Sequence, residues 1–311
     1  MLSYTLTVAL LATALGELPK VDEAKIEEVV RVPSYCEGIV FDHAGNGYVS
    51  HGKFVTKVSP DGKKTPWLDS GGAPNGHKIL ADGTHLVCDG NLHAVLHVSA
   101  DGKILGKASE KCGEKALRGP NDLTLDVKNK GFYFTDPGGS DDKKLIGTVH
   151  YVDDKGVTHL CAEGLAFPNG IVLTPDGKRL LVGESKKNRI LEYPIEKPGK
   201  LGPMKVFCDL PSKTGEQIDN QPDGICLDSE GNLYVAHYGM KQVQVLSPAG
   251  KVVRRYPGGN MTTSNVAFGG PNMDTLYITG GIKGEGDSEG GLFRIKLNGV
   301  KGLKILPDAK K

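Results

Sequence analysis

Three things are scarce in this 311-residue sequence: charge imbalance, clustered cysteine and helical periodicity. Lys plus Arg is 38 and Asp plus Glu is 37, a net charge of +1, and no long run of like charge occurs. Neither nucleic acid nor an anionic membrane surface is therefore an expected partner. The six cysteines (Cys36, Cys88, Cys112, Cys161, Cys208 and Cys226) form no CxxC pair and no Cys/His cluster, which argues against zinc. Cys88 and Cys226 fall in strand-like runs and suit core thiols as well as disulfide partners. Helical spacing of apolar residues is almost missing, and only residues 22–30 read as helix or strand alike.

A long apolar run is also absent. The one at the amino terminus, Leu6 to Leu15, is about half of what a membrane span needs. It has the length of a signal-peptide core, with Ala14 and Gly16 as small residues ahead of a cleavage before Glu17, although no Lys or Arg precedes it. The expectation is a signal peptide over 1–16, one domain over 17–311, and export to the periplasm or the medium.

What is plentiful is turn chemistry. The 43 glycines and 18 prolines are spread along the chain, as many tight turns require, and are not pooled in a disordered segment. They punctuate a repeat. Six short runs share one form: Glu37-Gly-Ile-Val-Phe-Asp42, Asn75-Gly-His-Lys-Ile-Leu80, Asn121-Asp-Leu-Thr-Leu-Asp126, Asn169-Gly-Ile-Val-Leu-Thr174, Asp223-Gly-Ile-Cys-Leu-Asp228 and Ser264-Asn-Val-Ala-Phe-Gly269. Their openings are 38, 46, 48, 54 and 41 positions apart. Each is followed by a Gly/Asp turn, a second strand, and a third ending in another turn. Six such units describe an all-β fold, a six-bladed β-propeller; a two-sheet sandwich does not account for six equivalent openings. Ring closure needs a terminal strand against the last blade. Residues 24–32 suit that place, and the tail VKGLKILP competes for it.

In a propeller the first strand of each blade lines the central channel, so the six openings face one axis at one height. Glu37, Asn75, Asn121, Asn169, Asp223 and Ser264 all offer hard oxygen and none is His or Cys. Two carboxylates and several amide carbonyls suit a central Ca²⁺ ion, which accepts six to eight oxygens; Mg²⁺ prefers a tighter octahedron and keeps more water. The competing reading, that each residue merely caps a strand, leaves two carboxylates buried at a cost.

The runs EGIVFD, PNDLTLD with GFYFTDP, FPNGIVLTPDGK, PDGICLDSEGNLYVA and FGGPNMDTLYIT resemble the regucalcin/gluconolactonase-like family over essentially the whole chain after residue 30. The resemblance implies a six-bladed propeller with a catalytic Ca²⁺ in its channel, in enzymes that mostly hydrolyse sugar lactones. It implies Glu37, Asn121, Asn169 and Asp223 as metal ligands and Asp223 as the general acid/base. Related diisopropylfluorophosphatase-type enzymes share the arrangement, so a phosphotriesterase-like hydrolase is the nearest alternative. Where the gluconolactonase branch often carries an HGNRR-like run, this chain has Asp89-Gly-Asn-Leu-His-Ala94.

The expected substrate is a small lactone. A central Ca²⁺ would polarise its carbonyl while a carboxylate moves the proton of water. Asn75, Arg118, Asp136 and His237 are the candidate substrate contacts; His77 and Ser264 are weaker ones. Arg118 has a planar fork suited to hydroxyl or carboxylate groups, Asp136 follows the third unit's second strand, and His237 lies on the fifth unit's. The run GEGDSEGG at 284–291 reads as a rim loop, since no helix follows it to make a phosphate site. A binding propeller of the NHL type needs no axial carboxylate pair, and a strictosidine-synthase-like one works without metal; both sit poorly with Glu37 and Asp223.

Overall fold

A computed structural model describes residues 17–213, 219–260, 262–283 and 289–306. The expected leader over 1–16 and residues 284–288 of the rim-loop run lie outside them. The described residues form six antiparallel sheets around one axis and one small hairpin, Lys111–Cys112 with Lys115–Ala116. Blade 1 begins with the inner strand Cys36–Phe41, blade 2 with Pro74–Ile79, blade 3 with Leu123–Asp126, blade 4 with Pro168–Leu173, blade 5 with Gln221–Leu227 and blade 6 with Thr262–Gly269. Each blade has four strands in simple up-and-down order, and blade 4 carries a short fifth, Lys200–Leu201.

The last residue of the hexapeptide repeat explains how the inner strands of blades 1, 3 and 5 turn back. Asp42 accepts the Asn46 N–H and side-chain amide and, at 3.1 Å, the Tyr48 hydroxyl. Asp228 does the same with Asn232 and Tyr234, and Asp126 with Asn129 and Tyr151. A carboxylate with several N–H and O–H donors fixes the turn that starts the second strand. The apolar alternation of the strands then packs blade on blade. Tyr133, Val149 and Tyr151 of blade 3 meet Ile171, Leu180, Val182 and Leu191 of blade 4, and comparable clusters fill the other interfaces. All six cysteines are free thiols, and Cys36, Cys88 and Cys226 are buried.

The ring closes through the amino-terminal strand. Ile26–Val32 pairs antiparallel with Gly290–Lys296 and is the outermost strand of blade 6. The ambiguous segment 22–30 is thus a turn at 21–23 followed by strand. The tail that competed for this place does something else. It makes one bridge, Gly302 with Asp228, and lays Leu303 and Ile305 against blades 4 and 5 and Leu306 against blades 1 and 2. There it borders a cavity of about 1250 Å³ at the base of the ring, whose wall includes Ile39, Ile171, Ile225, Val266 and Lys78.

Near the axis the inner strands touch backbone to backbone. A Cβ on Gly38 would overlap the Asn75 carbonyl oxygen, and one on Gly224 would overlap the Asn265 side chain. Gly38→Ala should therefore lower stability by about 1–3 kcal/mol or more, because a neighbouring strand cannot move aside cheaply. Gly90→Ala, where a Cβ meets open space, should be near neutral. Thermal melts of the two variants check this, and equal melting temperatures would refute close packing at the axis.

Candidate functional site

Bulges aim the opening residues at the axis. The inner ladders slip between Cys36 and Ile39, Pro74 and His77, Pro168 and Ile171, Pro222 and Ile225, and Thr263 and Asn265. Each slip brackets an opening residue, and in blade 3 the ladder starts only at Leu123, past Asn121. An extra residue in one strand bends it and re-aims its side chains. Hydroxyls on the second strands then lock the bulges in place. Ser50 Oγ donates to the Asn75 carbonyl at 2.8 Å, Thr135 Oγ1 to the Asn169 carbonyl at 2.8 Å, and Thr279 Oγ1 to the Glu37 carbonyl at 2.6 Å. Ser185 Oγ holds the Pro222 carbonyl, one residue from Asp223. Each bond crosses from one blade to the next, so the blades register at the height of the donors.

Buried oxygens without partners gather here. Oε2 of Glu37, Oδ1 of Asn75 and Oδ1 of Asn121 are sealed from solvent and accept no hydrogen bond. Orphaned acceptors on three blades at one level are costly unless a cation or donor satisfies them. Asp223 and Asn169 are both buried, and Asn169 donates a side-chain hydrogen bond to the Asp223 carboxylate. Burial drives the Glu37 carboxyl well above its usual range, and the Asp223 and Asp122 carboxylates push it further. Asp223 is also raised, by burial first and then by Asp122, against hydrogen bonds from Asn169 and the Gly224 N–H. Negative groups thus face one another across the channel with amide oxygens beside them. Among the described residues no three His, Cys, Asp or Glu side chains cluster as a metal site, so an ion here would draw on Asn oxygens. That fits a hard cation such as Ca²⁺ and not a thiophilic one.

The other candidates divide. Ser264 faces away: its hydroxyl donates to the Cys36 carbonyl at 2.6 Å and lies 3.1 Å from Thr279 Oγ1. Arg118 is exposed on the rim, with Nη1 donating to the Ile146 carbonyl at 3.0 Å. Asp136 is buried and accepts the Arg118 backbone N–H at 2.9 Å. It belongs to a second series, since Asp89 accepts the Ala73 N–H and Glu184 the Ala166 N–H in the same way, each holding the loop that enters its own blade's inner strand. His237 is fully buried, with Nε2 2.8 Å from Asn188 Oδ1 and its proton affinity lowered by burial to about 3. Its Nδ1 has no partner. His77 packs away from the donors, with Nε2 2.7 Å from His85 Nδ1 against Trp67 and Tyr48.

Three residues of the site escaped the repeat pattern. Tyr35, two positions before Glu37, places a largely buried hydroxyl in the field of Glu37 and Asp223 and bonds Ser264. Asp122 puts a carboxylate where blades 1, 2, 4 and 5 have glycine, and Lys78 reaches it from blade 2 with Nζ 3.9 Å from Oδ1. The departure of Asp122 from the Gly pattern was visible in the aligned repeats; nothing in them marked Lys78.

Residues 37–281 match the family described as SMP-30/Gluconolactonase/LRE-like region. The lactonase drp35 of Staphylococcus saprophyticus is 32% identical over 280 residues, covering 84% of this chain and 83% of that one. Among solved structures, a gluconolactonase of Xanthomonas campestris superposes with a TM-score of 0.75 at 23% identity, over 89% of this chain and 91% of that one. Regucalcin of Agrobacterium tumefaciens, described as a calcium-binding protein, does so with a TM-score of 0.72 at 19% identity, over 91% and 96%. These two share the propeller.

Proposed function

The chain belongs to the SMP-30/gluconolactonase/LRE-like family, and on that premise we propose that it is a calcium-dependent hydrolase opening a sugar lactone, of the gluconolactone kind, to the aldonic acid. The observation that carries the reading is the set of orphaned buried oxygens on Glu37, Asn75 and Asn121 beside the paired Asp223 and Asn169. Glu37, Asn121, Asn169 and Asp223 would hold the ion. When bound, Ca²⁺ supplies positive charge that polarises the lactone carbonyl and favours the oxyanion formed on water attack.

Asp223 moves the proton. Its carboxylate takes one from water as the water oxygen bonds the carbonyl carbon, and returns it to the ring oxygen as the ring C–O bond breaks. The Asn169 amide donates to that carboxylate and fixes its orientation. Asn75, at the same level with a free Oδ1, would accept from a ring hydroxyl. Arg118 on the rim would meet a hydroxyl further out, and Asp136 holds the Arg118 backbone in place. His237, unprotonated at neutral pH, keeps a buried Nδ1 without a partner, through which it would meet substrate.

The test combines binding and turnover. Calorimetry should show one Ca²⁺ per chain. Acid release from a panel of aldonolactones, followed with a pH indicator, should stop on chelation and return with calcium. Hydrolysis that survives chelation, or cleavage of phosphotriesters with none of lactones, would overturn the reading.

A further inference from the structure

The central site has more negative charge beneath it than its opening residues account for. Asp122 is buried and hydrogen-bonded to the Leu123 N–H at 2.8 Å, and its carboxylate acts on both Glu37 and Asp223. Fully ionised, as a bound cation would favour, the three carboxylates sum to −3. Among the described residues the cation paired with any of them is Lys78, whose side chain is 19% exposed against 3% for Asp122. Lys78 leaves the inner strand of blade 2 three residues after Asn75, and it also lies in the field of Cys226 on blade 5 and Cys88 on blade 2. An ammonium has three donors and no acceptor, so it cannot serve as a ligand. It acts only by charge.

We infer that Lys78 is a specificity-determining residue that sets the channel at −2 and so matches it to a divalent cation over a trivalent one. The inference rests on the central cation site proposed above. The ammonium offsets Asp122, leaving Glu37 and Asp223 to face the ion. Without it, each further unit of charge on the cation would gain from the uncompensated carboxylate. With an effective dielectric constant near 20 and a separation of several ångströms, that gain per unit charge is about tenfold in affinity or more.

Calorimetric titration with Ca²⁺ and with La³⁺ reads this directly, without turnover. K78M should raise the ratio of La³⁺ to Ca²⁺ affinity about tenfold or more over the native protein. K78R, which keeps the charge, should leave the ratio near native. Because K78M strands a buried carboxylate and can fail to fold, the comparison of D122N with D122N/K78M reads the same contribution where no such carboxylate remains. D122N should lower the ratio, and the double variant, back at −2, should restore it. A ratio unmoved by removing Lys78 in both backgrounds, with calcium still bound, overturns the role of Lys78 alone. A native protein that binds neither ion overturns the central site and this inference with it.

Discussion

Asp223→Asn should lower kcat by about 10²–10⁴-fold even at saturating calcium, over and above the loss of calcium affinity that follows from removing one of two facing carboxylates. Asparagine keeps an oxygen for the ion and a shape that fits beside Asn169, but it cannot take a proton from water at neutral pH. The buried setting makes the substitution mild for the fold, since the native carboxyl already sits above its usual range through burial and the nearby Asp122. Neutralising it removes repulsion. Some affinity will go, because the charge facing the ion drops by one unit. Measuring kcat across a calcium series separates the two effects. Full activity at high calcium would make Asp223 a ligand only and move the proton transfer to another group.

Glu37→Gln should separate binding from stability in opposite directions. Calcium affinity should fall by at least about 10–100-fold, the range that even indirect partners of a metal command, because one of two facing carboxylates is lost. The metal-free protein should become more stable at neutral pH. The Glu37 carboxyl is raised above its ordinary 4.5 by burial and by Asp223 and Asp122. A group with a raised folded-state value contributes fully at low pH, and its contribution is lost as pH rises. Metal-free native protein therefore carries this penalty at pH 7, and Gln removes it. Melting temperatures of both proteins in chelator, from pH 4 to pH 7, should differ at the upper end and converge near the lower. A metal-free variant less stable than native at pH 7 would place Glu37 in some other balance.

Much of this was legible beforehand because the repeat writes the fold six times. Asp42, Asp126 and Asp228 end their inner strands as turn anchors, as their place in the repeat suggests. The buried, unpartnered oxygens of Glu37, Asn75 and Asn121 lie at positions that the same alignment singles out. Ser264 departs from it because its hydroxyl is spent on the Cys36 carbonyl of blade 1 at 2.6 Å. Lys78 stayed hidden for a geometric reason. Three residues apart, it and Asn75 would point to opposite faces of an unbroken strand, but the bulge between Pro74 and His77 inserts a residue and turns both to the channel. The hydroxyls of Ser50, Thr135 and Thr279 recur in runs of the form Tyr-x-Ser/Thr, a second repeat that a search for axial residues passes over.

The closure of the ring carries a consequence for how the protein is made. Ile26 pairs with Ile295, and Val32 with Gly290. On the ribosome the first five blades can form as they emerge, each from contiguous chain, but the strand Ile26–Val32 emerges ahead of them and is the last to find its partner. Throughout synthesis it is an unpaired edge, the kind of template that other chains extend. Its charged Glu27, Glu28 and Arg31 keep charge on that edge during the wait. A nascent chain stalled before residue 290 would therefore hold five whole sheets, an unfinished sixth and an open seam, and the hazard it poses to its neighbours is a property of its birth order, invisible once the circle is complete.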